Sequence, residues 1–496
     1  MTAIDALKTK LYDIDALRAS LGLMGWDLQV MMPSGNSAVR SAQLGVLERM
    51  VHEQVVSDET QRLVEAAKQA AQPGSVEEAL VRVTQRHIDL QTKIPAALVE
   101  EKARLSGEGH EVWVKARAEN DFKSFAPLLK RLVELTRQEA EHLGYQDHPY
   151  DAVTDYYEEG ATKKSWEAMF DGIRQPLVDL VASIKASPNQ IDDSKLYGPW
   201  PEADQKAFCD LIARAVGFDF DRGRQDTAAH AFCGGTSVTD VRLTTRFKNY
   251  LPSAIMGTLH EAGHGMYEQG SPLDWARLPI AGGVSLGVHE SQSRTWENII
   301  GRSRAFWSHF YPQLQGAFPA LSDVAPEQWY KFLNKVEPSF IRVEADEVTY
   351  NLHIMVRFEI ECMLMDGSLN VDDLPEVWNS KYQSYLGITP STDTKGCLQD
   401  VHWSGGSIGY FPTYSMGNIL SYQFWNCLKR DLGDVDALMA HGDFAPILGW
   451  LQKNIYSHGS RFRPAELVHR VTGKQLDSTE YLAGITAKYR EIYGLG

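Results

Sequence analysis

Apolar residues recur at spacings of three and four through most of residues 1–185, as in ALRASLGLMGWDLQV and FAPLLKRLVELTRQEAEHL. A period near 3.6 lays such positions along one face of a helix, so this region predicts a stack of amphipathic helices. Breaks are expected at Met32-Pro33-Ser34-Gly35, Gln72-Pro73-Gly74 and His148-Pro149-Tyr150, where Pro and Gly interrupt regular structure. A longer Pro- and Asp-rich loop over 187–204 marks an expected lobe boundary. Strand pattern is scarce. Its clearest case is SVTDVRLTTRF (237–247), where alternation puts Asp240, Arg242 and Thr244 on one face and Val241 and Leu243 on the other. Beyond residue 250 the helical period returns and runs to the end, with loops near 266–285 and 387–417. The pattern predicts a mainly α protein with a small β-sheet.

Within the returning helical pattern lies His260-Glu261-Ala262-Gly263-His264. The helix around it is expected to start with Ser253 as its cap and to stop at Gly270. Histidines four residues apart project from one face about one turn apart, which suits two ligands of a tetrahedral zinc. Glu261, at the edge of that face, is placed to act on a water rather than on the metal. The glycine and third histidine of the longer metzincin motif would fall at Tyr267 and Gly270, so the third ligand comes from elsewhere. Glu290, in LGVHESQSRTWENIIG (286–301), follows His264 at a distance that allows a loop and a returning helix. Glu297, two turns further on, and Asp274, in the intervening loop, are the alternatives. Two histidines and one carboxylate leave a fourth position open for water, the arrangement of a catalytic rather than a structural site. The residues therefore predict a zinc peptidase.

Charge and cysteine usage narrow the partners. The chain carries 49 basic against 65 acidic residues, a net of −16, which argues against nucleic acid or an anionic membrane as partner. No apolar run reaches the roughly 20 residues of a membrane span, and the N-terminus lacks a basic-then-apolar block. Cys209, Cys233, Cys362, Cys397 and Cys427 are scattered, without a CxxC pair. Neither a thiolate zinc site nor a disulfide framework is expected, and a reducing cytoplasm fits best.

Several separated motifs resemble those of the carboxypeptidase Taq family of zinc metallocarboxypeptidases. The metal motif matches His260-Glu261-x-x-His264, and a His-Glu-Ser motif matches His289-Glu290-Ser291, whose Glu is the family's third ligand. Asp-x-Arg-x-Thr matches Asp240, Arg242 and Thr244. Ile341-Arg342-Val343-Glu344-Ala345-Asp346 and Gly396-Cys397-Leu398-Gln399-Asp400-Val401-His402-Trp403 match two more. The family's His-Pro-Phe departs here to His230-Ala231-Phe232, where Ala does not restrict the backbone as Pro would.

The resemblance implies a helical, two-lobed, gluzincin-like metallopeptidase with a deep central groove and the small sheet near the zinc helix. It is read as a single metallocarboxypeptidase domain over 1–496, with a helical lobe to about 200, a zinc-bearing region to about 420 and C-terminal helices thereafter. It implies one zinc, replaceable by cobalt, and a homodimer. The implied activity is release of single residues from the free C-terminus of peptides, broad in specificity and poor on C-terminal proline.

In this reading His260, His264 and Glu290 hold the metal and Glu261 is the general base. The oxyanion needs a donor besides the metal, for which His402, Tyr410 and Tyr414 are the candidates, Tyr414 with His402 nearby being preferred. Arg342 is the expected carboxylate clamp, although Glu344 and Asp346 offer it a plain salt bridge. His230, Arg242 and Tyr410 are lesser substrate contacts, and Asp240 and Asp400 are expected to orient His or Arg side chains. The rivals are an endopeptidase or dipeptide-releasing peptidase of similar fold and a metal-free binding protein.

Overall fold

The computed structural model describes residues 2–495. Helices account for 69% of the chain, so the mainly α expectation holds. The expected breaks lie between helices: Ala3–Val30 ends ahead of Met32, Asp58–Ala70 ahead of Gln72, and a new helix begins at Pro149. Among the described residues no disulfide joins the cysteines, and no helix is long and apolar enough to cross a membrane.

The chain forms two compact units, each built from three stretches. The first takes Met1–Gln91, Asp192–Leu333 and Leu420–Gln475; the second takes Thr92–Ile191, Asn334–Ile419 and Leu476–Gly496. One crossing, between Ile191 and Asp192, falls within the 187–204 loop.

The first unit contains a three-stranded sheet of order β1-β3-β2, with β1 (Gly223–Thr227) parallel and β2 (Cys233–Ser237) antiparallel to β3 (Asp240–Thr245). The sequence pattern over 237–247 had suggested one longer strand. Instead Ser237 closes a turn, its hydroxyl accepting the Thr239 N–H at 3.1 Å, and the last strand starts at Asp240. A short polar side chain bonding its own backbone two residues on favours a turn over an extended ladder.

The motif helix spans Leu251–Gln269 and packs on this sheet. It begins earlier than Ser253, with Tyr250 as the cap residue and Pro252 in the first turn, where a fixed φ and a missing N–H cost nothing. Gly265 allows the close approach: a Cβ there would lie 2.9 Å from Leu243 Cδ2 and 2.7 Å from the Phe218 ring. Polar links add register, with Gln225 Nε2 donating to Thr258 Oγ1 at 3.1 Å.

The second unit is organised around the helix Tyr350–Asp366, nearly all of whose side chains are buried, Arg357 and Glu361 among them. Buried ionisable groups persist only where partners compensate lost hydration, and most of those partners come from the 396–409 segment described below.

Candidate functional site

In the first unit the motif helix meets a second helix, Leu286–Arg294, at Gly263. A Cβ on Gly263 would lie 2.7 Å from both Gln292 O and Ser293 Cα, so only glycine lets the helices touch between the two histidines. That approach brings Glu290 to the histidine face. Glu290 Oε2 lies 3.6 Å from His260 Nε2 and 3.4 Å from His264 Nε2. The ligand atoms of His260, His264 and Glu290 all fall within 4.8 Å of one another, a group able to hold a metal ion.

The alternatives for the third position have other places. Glu297 stands behind the site, its Oε2 at 2.8 Å from His260 Nδ1. Asp274 lies exposed in the short turn Leu273–Trp275. Around the triad, Arg294 donates to Glu290 Oε1 at 2.7 Å and to Glu297 Oε2 at 3.1 Å. His264 Nδ1 lies 2.5 Å from His289 Nδ1, and His289 Nε2 lies 2.7 Å from Glu268 Oε1. Local reading of the sequence missed Arg294 and Glu268. The signal for Arg294 was its spacing, four residues after Glu290 on one helix face.

The electrostatics follow from burial and these charges. Burial opposes ionisation of Glu290, but the Arg294 guanidinium and His260 hold its carboxyl well below the usual range. Burial likewise pulls His260 down, yet Glu290 and Glu297 outweigh it and raise the imidazole to about 9. His264 goes the other way, to about 3, chiefly through burial. Glu261 is buried beside His260, and burial, with Glu290 and Glu297 adding repulsion, lifts it to about 7. A carboxyl poised there serves as a base at neutral pH.

A pH dependence of metal uptake follows. A metal ion requires the unprotonated His260, while below about pH 9 the metal-free site holds a proton on it. Affinity for a divalent ion is expected to rise ~10-fold per pH unit from neutrality towards that value and flatten above it, because one proton leaves per ion bound. Competition against a chelator across that range checks this; a flat profile would contradict it.

In the second unit, Arg342 is buried in the turn Arg342–Glu344. It donates from Nε and Nη2 to Asp400 Oδ1, at 3.1 and 2.7 Å, and from Nη1 to the Tyr350 hydroxyl at 2.9 Å. Its sequence neighbours are not the partners: Asp346 accepts the Val348 and Thr349 N–H groups instead. Asp400 also accepts from Arg357 Nε at 2.6 Å, and Gln399 Oε1 accepts from Arg357 Nη2 and from the Arg342 N–H. Two guanidinium groups share one carboxylate, so these three side chains carry a net positive charge.

The same unit gathers His402, Tyr410 and Tyr414. The His402 ring centroid is 5.5 Å from that of Tyr410 and 6.4 Å from that of Tyr414, and Arg342 Cζ lies 5.0 Å from the Tyr414 ring. His402 Nδ1 is 3.9 Å from Asp400 Oδ1, and burial lowers the imidazole to about 4. Beneath this segment, Glu361 accepts from the Trp403 indole (2.8 Å), the Tyr150 hydroxyl (2.9 Å) and the Gly409 N–H (3.0 Å).

Two remaining expected residues lie in the first unit. His230 is exposed, between β1 and β2. Arg242 is paired edge-on with Asp240, with two bonds of 2.9 Å, and its guanidinium sits 4.4 Å from the Trp26 ring centroid.

Comparison with known proteins places the chain in a family. A family model described as carboxypeptidase Taq (M32) metallopeptidase matches residues 6–489. Thermostable carboxypeptidase 1 of Thermus thermophilus is 41% identical over 493 residues, covering 97% of each chain. Carboxypeptidase 1 of Bacillus subtilis is 36% identical, covering 96% of this chain and 95% of that one. The crystal structure of an M32 carboxypeptidase from Deinococcus radiodurans superposes with a TM-score of 0.96 at 37% identity, over 99% of this chain and 100% of the other.

Proposed function

The chain belongs to the carboxypeptidase Taq (M32) metallopeptidase family, and from that premise we propose that His260, His264 and Glu290 hold one zinc ion for the removal of single C-terminal residues from peptides. As a member, it is a peptide hydrolase, a metallocarboxypeptidase that uses a divalent metal. The observation that carries the ligand assignment is the cluster itself, three ligand atoms within 4.8 Å on two helices that touch at Gly263. Two imidazoles and one carboxylate are a donor set that suits zinc with a position left open, and cobalt in its place.

When bound, the ion acidifies a water and polarises the scissile carbonyl. Glu261 takes the water's proton as the water attacks, then delivers it to the leaving amine. His402 and Tyr414 donate to the oxygen on which negative charge develops. Arg342 takes the substrate's terminal carboxylate. What supports this is the surplus positive charge of the Arg342, Arg357 and Asp400 group, in which one carboxylate serves two guanidinium groups. His230, Arg242 and Tyr410 are lesser contacts along the peptide. The whole chain, 1–496, acts as one metallocarboxypeptidase domain, broad in specificity and slow on C-terminal proline. It works as a homodimer, a reading supported by family resemblance and testable by light scattering of the purified protein, and in the cytoplasm, which its scattered free cysteines fit.

The experiment is mass spectrometry of a peptide pool in which each sequence is present as free acid and as C-terminal amide. The free acids are expected to shorten one residue at a time, stalling at proline, and a chelator stops the reaction. The amides are expected to persist. An amide cut as fast as its acid would remove Arg342 from its role and favour an endopeptidase.

A further inference from the structure

We propose that Glu361 is a positioning residue for His402 and Tyr410, one oxygen of its carboxylate holding each end of the 403–409 loop that lies between them. The proposal rests on reading His402 as a donor to the reaction's oxyanion.

His402 depends on its surroundings for its aim. Among the described residues nothing bonds its buried Nδ1. The direction of the ring therefore follows from the main chain on either side and from packing on Phe411, with centroids 4.6 Å apart. Both sides are held from the helix Tyr350–Asp366. Arg357 holds the residues before His402, donating to Gln399 Oε1 at 2.8 Å and to Asp400 Oδ2 at 2.6 Å. Glu361, one turn further along, holds the residue after it, its Oε1 accepting the Trp403 indole N–H at 2.8 Å. Residues four apart share a helix face, so these two side chains bracket His402.

The second oxygen acts at the far end of the loop. Glu361 Oε2 accepts the N–H of Gly409, the residue before Tyr410, at 3.0 Å. Gly409 is a fixed corner. Its φ is 97°, a conformation that favours glycine, and a Cβ there would lie 2.9 Å from the Val153 carbonyl carbon and oxygen. Its own carbonyl accepts from Thr154 Oγ1 at 3.1 Å. The helix Pro149–Tyr157 that supplies Thr154 also supplies Tyr150, whose hydroxyl donates to Glu361 Oε2 at 2.9 Å, and Tyr157, which packs edge-on against Tyr410 at 5.2 Å.

Glu361 exposes no surface, and burying a carboxyl group costs hydration that an apolar side chain would not lose. What the acid supplies in return is two acceptor oxygens facing an indole N–H and a main-chain N–H, both of which can only donate. Gln has one oxygen. Its N–H₂ group would face one of those donors and release that end of the loop.

The test compares zinc-loaded wild type, Glu361→Gln, Glu361→Asp and Tyr150→Phe, each kept below its melting transition. It measures kcat and KM on a free-acid peptide, and affinity for a phosphinic peptide that mimics the tetrahedral intermediate. E361Q is expected to lower kcat ~10²-fold, the cost of displacing a positioned group by about an ångström, with KM within about three-fold of wild type and zinc content unchanged. Affinity for the phosphinic peptide should fall in step with kcat, because an oxyanion donor acts where charge develops. Y150F removes a donor but leaves both loop ends tied, so it is expected to lower the melting temperature and keep the wild-type kcat. Asp is one carbon too short to reach both ends, so E361D should lose kcat as E361Q does, and it decides if E361Q does not fold. Wild-type kcat in folded E361Q or E361D, or a kcat loss in Y150F equal to that of E361Q, would overturn the proposal. Failure of the underlying reading looks different: His402→Ala would leave kcat unchanged.

Discussion

Replacing Glu261 by Gln is expected to lower kcat by ~10²- to 10⁴-fold, the usual contribution of a positioned proton-transfer group, with metal content and KM nearly unchanged. Glu261 is not among the three clustered ligand atoms, so the amide should leave metal binding in place. Gln fills almost the same volume at this buried position, and removing a buried charge near Glu290 and Glu297 relieves repulsion rather than adding it. The folded protein should therefore be at least as stable. The loss belongs to proton transfer alone, since an amide cannot take the water's proton. Burial and its acidic neighbours raise Glu261 to about 7 in the metal-free protein, and the charge of a bound divalent ion favours the carboxylate, so in the loaded enzyme the base is ionised down to a lower pH. The acidic limb of the wild-type kcat profile should fall as pH drops, and E261Q should lose that limb. Metal content by elemental analysis and single-turnover rates for both proteins decide it. An active E261Q would remove the assigned base.

The metal motif was legible because helical geometry converts a sequence spacing of four into a shared face. The small sheet was legible too, since alternation is a local property, but the turn at Ser237 hid in a run of residues that fit either a strand or a bend. The third ligand was harder. Glu290, Glu297 and Asp274 are chemically alike, and choosing among them from the residues requires the distance between two helices. That distance is set by Gly263, a residue inside the motif that carries no chemistry of its own. The pairing of Arg342 was only half legible, for a different reason: Asp400 was expected to orient a His or Arg side chain, but nothing local said which. Asp400 lies 58 residues away, and the nearby acids Glu344 and Asp346 looked equally suitable. Arg357 offered one clue, an arginine inside the apolar run of the helix Tyr350–Asp366, where a charge persists only with a specific partner.

Replacing Asp400 by Asn should have the largest effect on stability, a loss of ~3–5 kcal/mol, the usual result of breaking a buried ion pair on one side. Arg357 is fully buried and Arg342 nearly so, and both rely on the two oxygens of Asp400. An Asn side chain keeps one acceptor and turns an N–H₂ group towards a guanidinium, so one arginine loses its partner while both keep their charge. The sign with pH follows from Asp400. Burial opposes its ionisation, but Arg342 and Arg357 hold its carboxyl far below the ordinary range. Its contribution is therefore fully present above the unfolded value of about 4 and is lost as pH falls through the lower folded value. The gap between wild type and D400N should be constant near neutrality and close in acid, as read by denaturant unfolding at a series of pH values. Stability and substrate binding then separate. In whatever D400N remains folded, Arg342 either loses its Asp400 bonds or keeps them to a neutral oxygen, so KM for free-acid peptides should rise while metal affinity, set by residues of the other unit, stays that of wild type. A D400N protein of unchanged stability would mean that the two arginines find another counter-charge.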